Sequence, residues 1–112
     1  SLCDMYLSVH LNASTYTSWK GAQVFYDDIN SKNIVLAKYI QDSFKKNLGS
    51  KRKIKEIKNL YMYKNIDRMG LLLEVGFISN DNERYILRKD YYQNRIVLSI
   101  VNGVIDYYDD IE

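Results

Sequence analysis

Gly70-Leu71-Leu72-Leu73-Glu74-Val75-Gly76-Phe77 is apolar at every position but one. A continuous apolar run of this kind fits a strand covered on both faces, as in a sheet flanked by helices. Glu74 interrupts the run. An unpaired carboxylate is costly to bury, so it must find a partner, shift its pKa or sit at a strand end. A salt bridge to a nearby Arg or Lys is the plain explanation. A general base in a dry site beside a metal is the functional one.

The flanking segments supply the rest of an α/β pattern. Downstream, Asn80 followed by Glu83 is a capping-box-like start for a short helix through Leu87. Ile96, Val97, Ile100, Val101, Val104, Ile105 and Tyr108 then recur at helical spacing in a final helix. Upstream, Asn59 to Tyr63 reads as a strand, preceded by a basic stretch from Ser50 to Lys58. Leu36, Ile40, Phe44 and Leu48 form one apolar stripe of a helix. Asn30 or Ser31 can cap its start, Lys45 and Lys46 suit its negative C-terminal end, and Gly49 is the expected left-handed residue beyond it. Gly21 to Tyr26 reads as a strand stopped by Asp27-Asp28, although paired acids there also admit a cation site. Asp4 to Leu11 reads as a largely buried strand ending near His10, and Asn12 to Lys20 as a polar loop. The order strand, strand, helix, strand, strand, helix, helix implies a mixed or parallel sheet flanked by helices.

The chain has 112 residues, enough for one small domain over 1–112, and its 46% hydrophobic and 27% charged residues suit a globular core. A formal net charge of +2 is too small to argue for nucleic acid. Lys51, Arg52, Lys53, Lys55 and Lys58, with Tyr61 and Tyr63 as stacking partners, are the one candidate patch for it. Asp27, Asp28, Asp106, Asp109 and Asp110 offset that field, so a solvated basic loop is the expectation, with no nucleic-acid partner. One cysteine, Cys3, excludes an intrachain disulfide and is read as inert packing. No segment reaches the roughly 18 apolar residues of a membrane span, and no signal segment opens the chain. A start at Ser1 without Met points to a fragment or a processed product.

His10 is the only histidine. A lone histidine is more often a hydrogen-bonded rim residue than a ligand, and one imidazole is not a metal site. Its position raises its interest: an apolar strand gives way there to a polar loop, and ligand sites in open α/β sheets gather at the carboxyl ends of strands. Two strand ends, one carrying imidazole and the other carboxylate, would give metal-assisted hydrolysis the geometry it needs.

Ser8-Val9-His10-Leu11-Asn12-Ala13 resembles the Ser-x-His-x-Asn segment of the zinc-dependent N-acetylmuramoyl-L-alanine amidases. Gly21 to Tyr26 is similar to the strand that follows it in that family. Leu73-Glu74-Val75-Gly76-Phe77-Ile78-Ser79-Asn80 resembles the family's Glu-x-Gly-Phe-x-Ser-Asn segment, and Glu83 through Tyr91-Tyr92-Gln93 to Tyr108 follows in register. With Ser18-Trp19-Lys20-Gly21-Ala22-Gln23, the chain is most similar to the spore-cortex and germination amidases.

The resemblance implies a peptidoglycan hydrolase that cleaves the amide between N-acetylmuramic acid and L-alanine by zinc-activated water. His10 would be the last of three protein zinc ligands. Glu74 would be the catalytic carboxylate that activates the water and later protonates the leaving amine. It also implies a place in the cell envelope, exported or spore-associated. Substrate-binding residues are not assigned. The family's other two ligands, a His after a Pro-Gly turn and a Glu, lie upstream of the Ser-x-His strand. This chain holds neither, and Met69 stands where the family often has Pro. The expectation is therefore a partial catalytic domain, with the N-terminal strands of the family fold and two zinc ligands missing. Homo-oligomerisation, strand exchange or retention of an N-terminal fragment would then cover the exposed sheet edge. The alternative is a non-catalytic remnant of the fold that binds cell wall or a protein partner.

Overall fold

The computed structural model describes residues 5–58 and 68–111. Its elements are β1 (Met5–Asn12), β2 (Gln23–Tyr26), α1 (Lys32–Leu48), β3 (Lys55–Glu56), β4 (Met69–Phe77), α2 (Asp81–Ile86) and α3 (Asp90–Ile111). The strand expected at 59–63 and the packing expected of Cys3 lie outside the described residues. A two-residue strand, β3, occupies part of the segment expected to be a basic loop.

The four strands form one mixed sheet in the order β1-β4-β2-β3. β4 is central, parallel to β1 and antiparallel to β2, while β2 and β3 are parallel. The apolar run of β4 thus belongs to an interior strand, as its composition predicts. Its two faces differ, however. Leu71, Leu73 and Val75 are buried, whereas Leu72 and Glu74 between them are only half-buried. The alternation comes from the period of two along a strand. One face meets the helices; the other is less covered by the described residues.

Leu36, Ala37, Ile40 and Phe44 of α1 are fully buried with Val24, Leu71 and Leu73. α3 packs on α1, adding Tyr92, Ile96 and Tyr107 to the same core. The two helices approach closely at Gly103, where an added Cβ would lie 2.8 Å from the Ile40 Cα.

Polar side chains within this core tie the helices to the sheet. Gln41 reaches from α1 to β2, accepting from the Val24 N–H at 2.8 Å and donating to the Ala22 carbonyl at 3.1 Å. Asn33 accepts from the Gly70 N–H at 2.8 Å and donates to the Asp27 carbonyl at 2.9 Å. Both are buried and both ends of each amide are satisfied, as burial demands. The start of β4 is therefore held by α1.

The helix ends follow their signals, with one adjustment at α2. Asn30, not Ser31, supplies the side-chain acceptor for α1, taking the Lys32 N–H at 2.9 Å. Gly49 ends α1 in the left-handed region, φ 69°, with its N–H donated to the Phe44 carbonyl. Asn80 caps α2 by accepting from the Glu83 N–H. Glu83 does not close the box back onto Asn80; its use lies at the end of β4, described below. Asp27 accepts from the Ile29 N–H at 3.0 Å, which makes Asp27-Asp28 a strand-ending turn.

Candidate active-site strand ends

Ser8 and His10 lie two residues apart on β1 and so point to the same face. Their side chains meet, Ser8 Oγ to His10 Nε2, at 2.8 Å. The parallel register places His10 directly opposite Glu74. On the other flank of β4, the antiparallel register places Gln23 opposite the same residue. The sheet therefore presents a row of His10, Glu74 and Gln23 on three adjacent strands, on the face away from α1. The imidazole and carboxylate singled out from sequence are brought together. Gln23 was not singled out, because its neighbourhood with Glu74 is created by strand register and has no local signature.

Glu74 has no salt bridge among the described residues, so the plain explanation of its place in the run does not hold for them. Its Oε2 is buried and has no hydrogen-bond partner among the described residues. Burial pushes the Glu74 carboxyl above its ordinary range, and the charge of His10 opposes that shift. A carboxylate with an orphaned buried oxygen is destabilising in the resting fold. It is also poised to accept a proton.

The β1–β4 ladder becomes irregular immediately after His10, and pairing resumes at Asn12 and Phe77. Bulges of this kind re-aim side chains beside functional sites. The end of β4 is then pinned by α2. Glu83 Oε1 accepts from the Phe77 N–H and from the Gly21 N–H, each at 2.9 Å. One carboxylate oxygen thus joins the end of the Glu74 strand to the loop that leads into β2. Asn80 donates to the Thr17 carbonyl and Ser79 accepts from the Ser14 N–H, fixing the loop after β1 against the same turn.

That loop carries an aromatic cluster. Tyr16 and Trp19 stack at 5.0 Å between ring centroids, and Trp19 meets Phe77 edge-on at 6.4 Å. The Arg52 guanidinium lies 4.7 Å from the Phe77 ring centroid. Basic residues from Lys51 onward therefore do not all belong to a solvated loop: Arg52 folds back onto the strand ends.

Among the described residues, no group of three or more His, Cys, Asp or Glu side chains is arranged to hold a metal ion. His10 and Glu74 supply one imidazole and one carboxylate. A catalytic zinc takes three protein ligands. His10 would suit one ligand position of such a site and not the whole of it, with Glu74 beside it as a carboxylate.

Comparison with known proteins places these features in one family. The family described as N-acetylmuramoyl-L-alanine amidase, amidase type 3, matches residues 1–106. The chain is 40% identical over 111 residues to the germination-specific N-acetylmuramoyl-L-alanine amidase of Bacillus subtilis (strain 168), spanning 98% of this chain and 47% of that protein. It is 30% identical over 109 residues to the N-acetylmuramoyl-L-alanine amidase LytC of the same organism, covering 94% of this chain and 22% of LytC. The solved structure of the CwlD amidase from Clostridioides difficile, in complex with the GerS lipoprotein, superposes with a TM-score of 0.90 at 32% identity. That match covers 97% of this chain and 56% of CwlD. The chain thus spans about half the length, or less, of the relatives it matches.

Proposed function

Because the chain belongs to the N-acetylmuramoyl-L-alanine amidase family, we propose that it carries the carboxylate-bearing half of a peptidoglycan-hydrolysing site. The bond cleaved is the amide between the lactyl group of N-acetylmuramic acid and L-alanine. The observation that carries this reading is the pairing of His10 with Glu74, whose Oε2 is buried without a hydrogen-bond partner among the described residues.

In this reading Glu74 takes a proton from the attacking water while the water oxygen bonds to the lactyl carbonyl carbon. When the carbon–nitrogen bond breaks, Glu74 returns the proton to the alanine nitrogen. A carboxyl raised by burial holds a proton more readily than an ordinary one, which suits a group that first takes the proton and then returns it. His10 would supply one protein ligand to zinc. When bound, zinc polarises the carbonyl and makes water a stronger acid. The donor set among the described residues is partial, so a complete zinc site would need further ligands. The site of action is the cell envelope, and likeness to a germination-specific amidase favours the spore wall.

Glu74→Gln in the full-length protein tests the assignment. Turnover of muropeptide should fall by about 10²–10⁴, the usual contribution of a general acid–base group, with zinc content unchanged. Unchanged turnover removes Glu74 from the chemistry.

A further inference from the structure

Arg52 is held more firmly than a surface cation. Its backbone N–H donates to Ser50 Oγ at 3.2 Å, and that hydroxyl donates to the Ala22 carbonyl at 2.6 Å. Its Nε donates to the Lys20 carbonyl at 2.7 Å, and its Nη1 lies 3.5 Å from Gln23 Oε1. The guanidinium carbon lies over aromatic rings, 4.7 Å from the Phe77 ring centroid and 5.8 Å from that of Trp19. Orientation is thus set on three sides by backbone, amide and aromatic contacts.

What the guanidinium does not have is an anion. Among the described residues no carboxylate pairs with Arg52, although the side chain is half-buried. It borders a groove of about 700 Å³ whose lining includes Lys20, Lys51 and Arg95, with Glu83 as the one acid. Glu83 Oε1 is already committed to two backbone N–H groups. That groove is not lined by His10, Gln23 or Glu74, so it is the hold on the guanidinium beside Gln23 that counts: a planar cation oriented in this way matches a carboxylate, which guanidinium binds through paired charge-assisted hydrogen bonds.

The row across the sheet says which part of a substrate would arrive there. Arg52 contacts Gln23, and Gln23 is the cross-strand neighbour of Glu74. Glu74 and Gln23 lie one strand spacing apart, roughly 5 Å, and Arg52 Nη1 lies 3.5 Å from Gln23 Oε1, so a few extended residues span from Glu74 to the guanidinium. The scissile amide has a neutral N-acetylated sugar on its carbonyl side and a peptide, ending in a carboxylate, on its nitrogen side. Only the peptide side offers the anion.

Resting on the amidase reading above, we propose that Arg52, backed by Phe77 and Trp19, is a substrate-positioning residue that binds a carboxylate of the stem peptide.

The test uses the full-length protein and two muropeptides, one with free stem carboxylates and one with them converted to carboxamides. Wild type should show KM about tenfold higher for the carboxamide, the effect of losing a charged hydrogen-bond partner, with kcat little changed. Arg52→Met should raise KM by a similar factor on the free acid and add little on the carboxamide. Equal KM values for wild type on the two substrates overturn the proposal, and this arm needs no variant to fold. An Arg52→Met loss that is the same on both substrates also overturns it, making Arg52 a brace for the loop at Lys20. Calorimetric binding of the free stem peptide to Glu74→Gln protein, with and without Arg52→Met, separates this inference from the one beneath it. Arg52-dependent binding without any cleavage by wild type sinks the amidase reading and keeps the carboxylate site. Cleavage with Arg52-independent binding does the reverse.

Discussion

His10 and Glu74 are direct partners in the parallel pairing of β1 with β4, so an imidazole and a carboxylate stand side by side on the face of the sheet away from the helices. Sequence separation between them is large, and only the ladder brings them together. Burial raises the Glu74 carboxyl and His10 restrains that rise. The pair is thus electrostatically coupled before any further group arrives.

His10→Ala should uncouple zinc binding from folding in the full-length protein. Zinc affinity is expected to drop by more than the 10–100-fold or so typical of an outer-shell change, while the far-ultraviolet circular dichroism stays the same. Chelator competition measures the affinity. Wild-type affinity in the variant would show that His10 is not a ligand.

Glu83→Ala should loosen the end of the Glu74 strand. Two backbone N–H groups, those of Gly21 and Phe77, lose a shared charged acceptor. A loss of about 2 kcal/mol in unfolding free energy is expected, within the range for hydrogen bonds to charged groups. Glu83→Gln keeps a neutral acceptor and should cost less. Denaturant titration distinguishes them, and equal stability of all three proteins would show that the staple contributes nothing.

Gly103→Ala tests the contact between α1 and α3. Alanine favours a helix interior over glycine by about 1 kcal/mol. Here the new methyl would meet Ile40 backbone and side chain at 2.8 and 2.9 Å. Overpacking of this kind costs about 1–3 kcal/mol, so a net loss of stability is expected. A higher melting temperature for the variant refutes the close approach.

Tyr39→Phe carries a pH signature. The Tyr39 hydroxyl donates to Asp110 Oδ2. That bond, desolvation, and the charges of Asp110, Asp106 and Asp42 together raise its pKa above 10.0. The folded protein therefore holds this proton more tightly than the unfolded chain. The stabilisation is fully present below the unfolded value and is lost as pH rises through the folded one. Wild type should melt above Tyr39→Phe at pH 8, and the gap should close as pH passes 10. A gap that is constant with pH would show that the phenolic proton has no part in it.

Much of the fold was legible because local rules and tertiary packing agree. The β4 run, the α1 stripe with Gly49 behind it, and the Asn80 cap each rest on interactions within a few residues. β3 was not legible: Lys55-Glu56 has no strand pattern and is a strand only because β2 lies beside it. The uneven burial of β4 was also hidden, since Leu71 and Leu72 are the same residue type and differ only in which face the helices cover.

For the site, residue order alone carries the chemistry on offer: one imidazole at a strand end, one carboxylate inside an apolar run, and motifs that resemble a single family. Residue type and short spacing suffice for that. The pairings come from the packed fold: His10 with Glu74, Gln23 on the other flank, Glu83 turned to the end of β4, and Arg52 folded onto Phe77. Strand register and the return of a loop are set by contacts between residues far apart in the chain. No local pattern encodes them, because the free energy that selects them arises only when the sheet and its helices pack together.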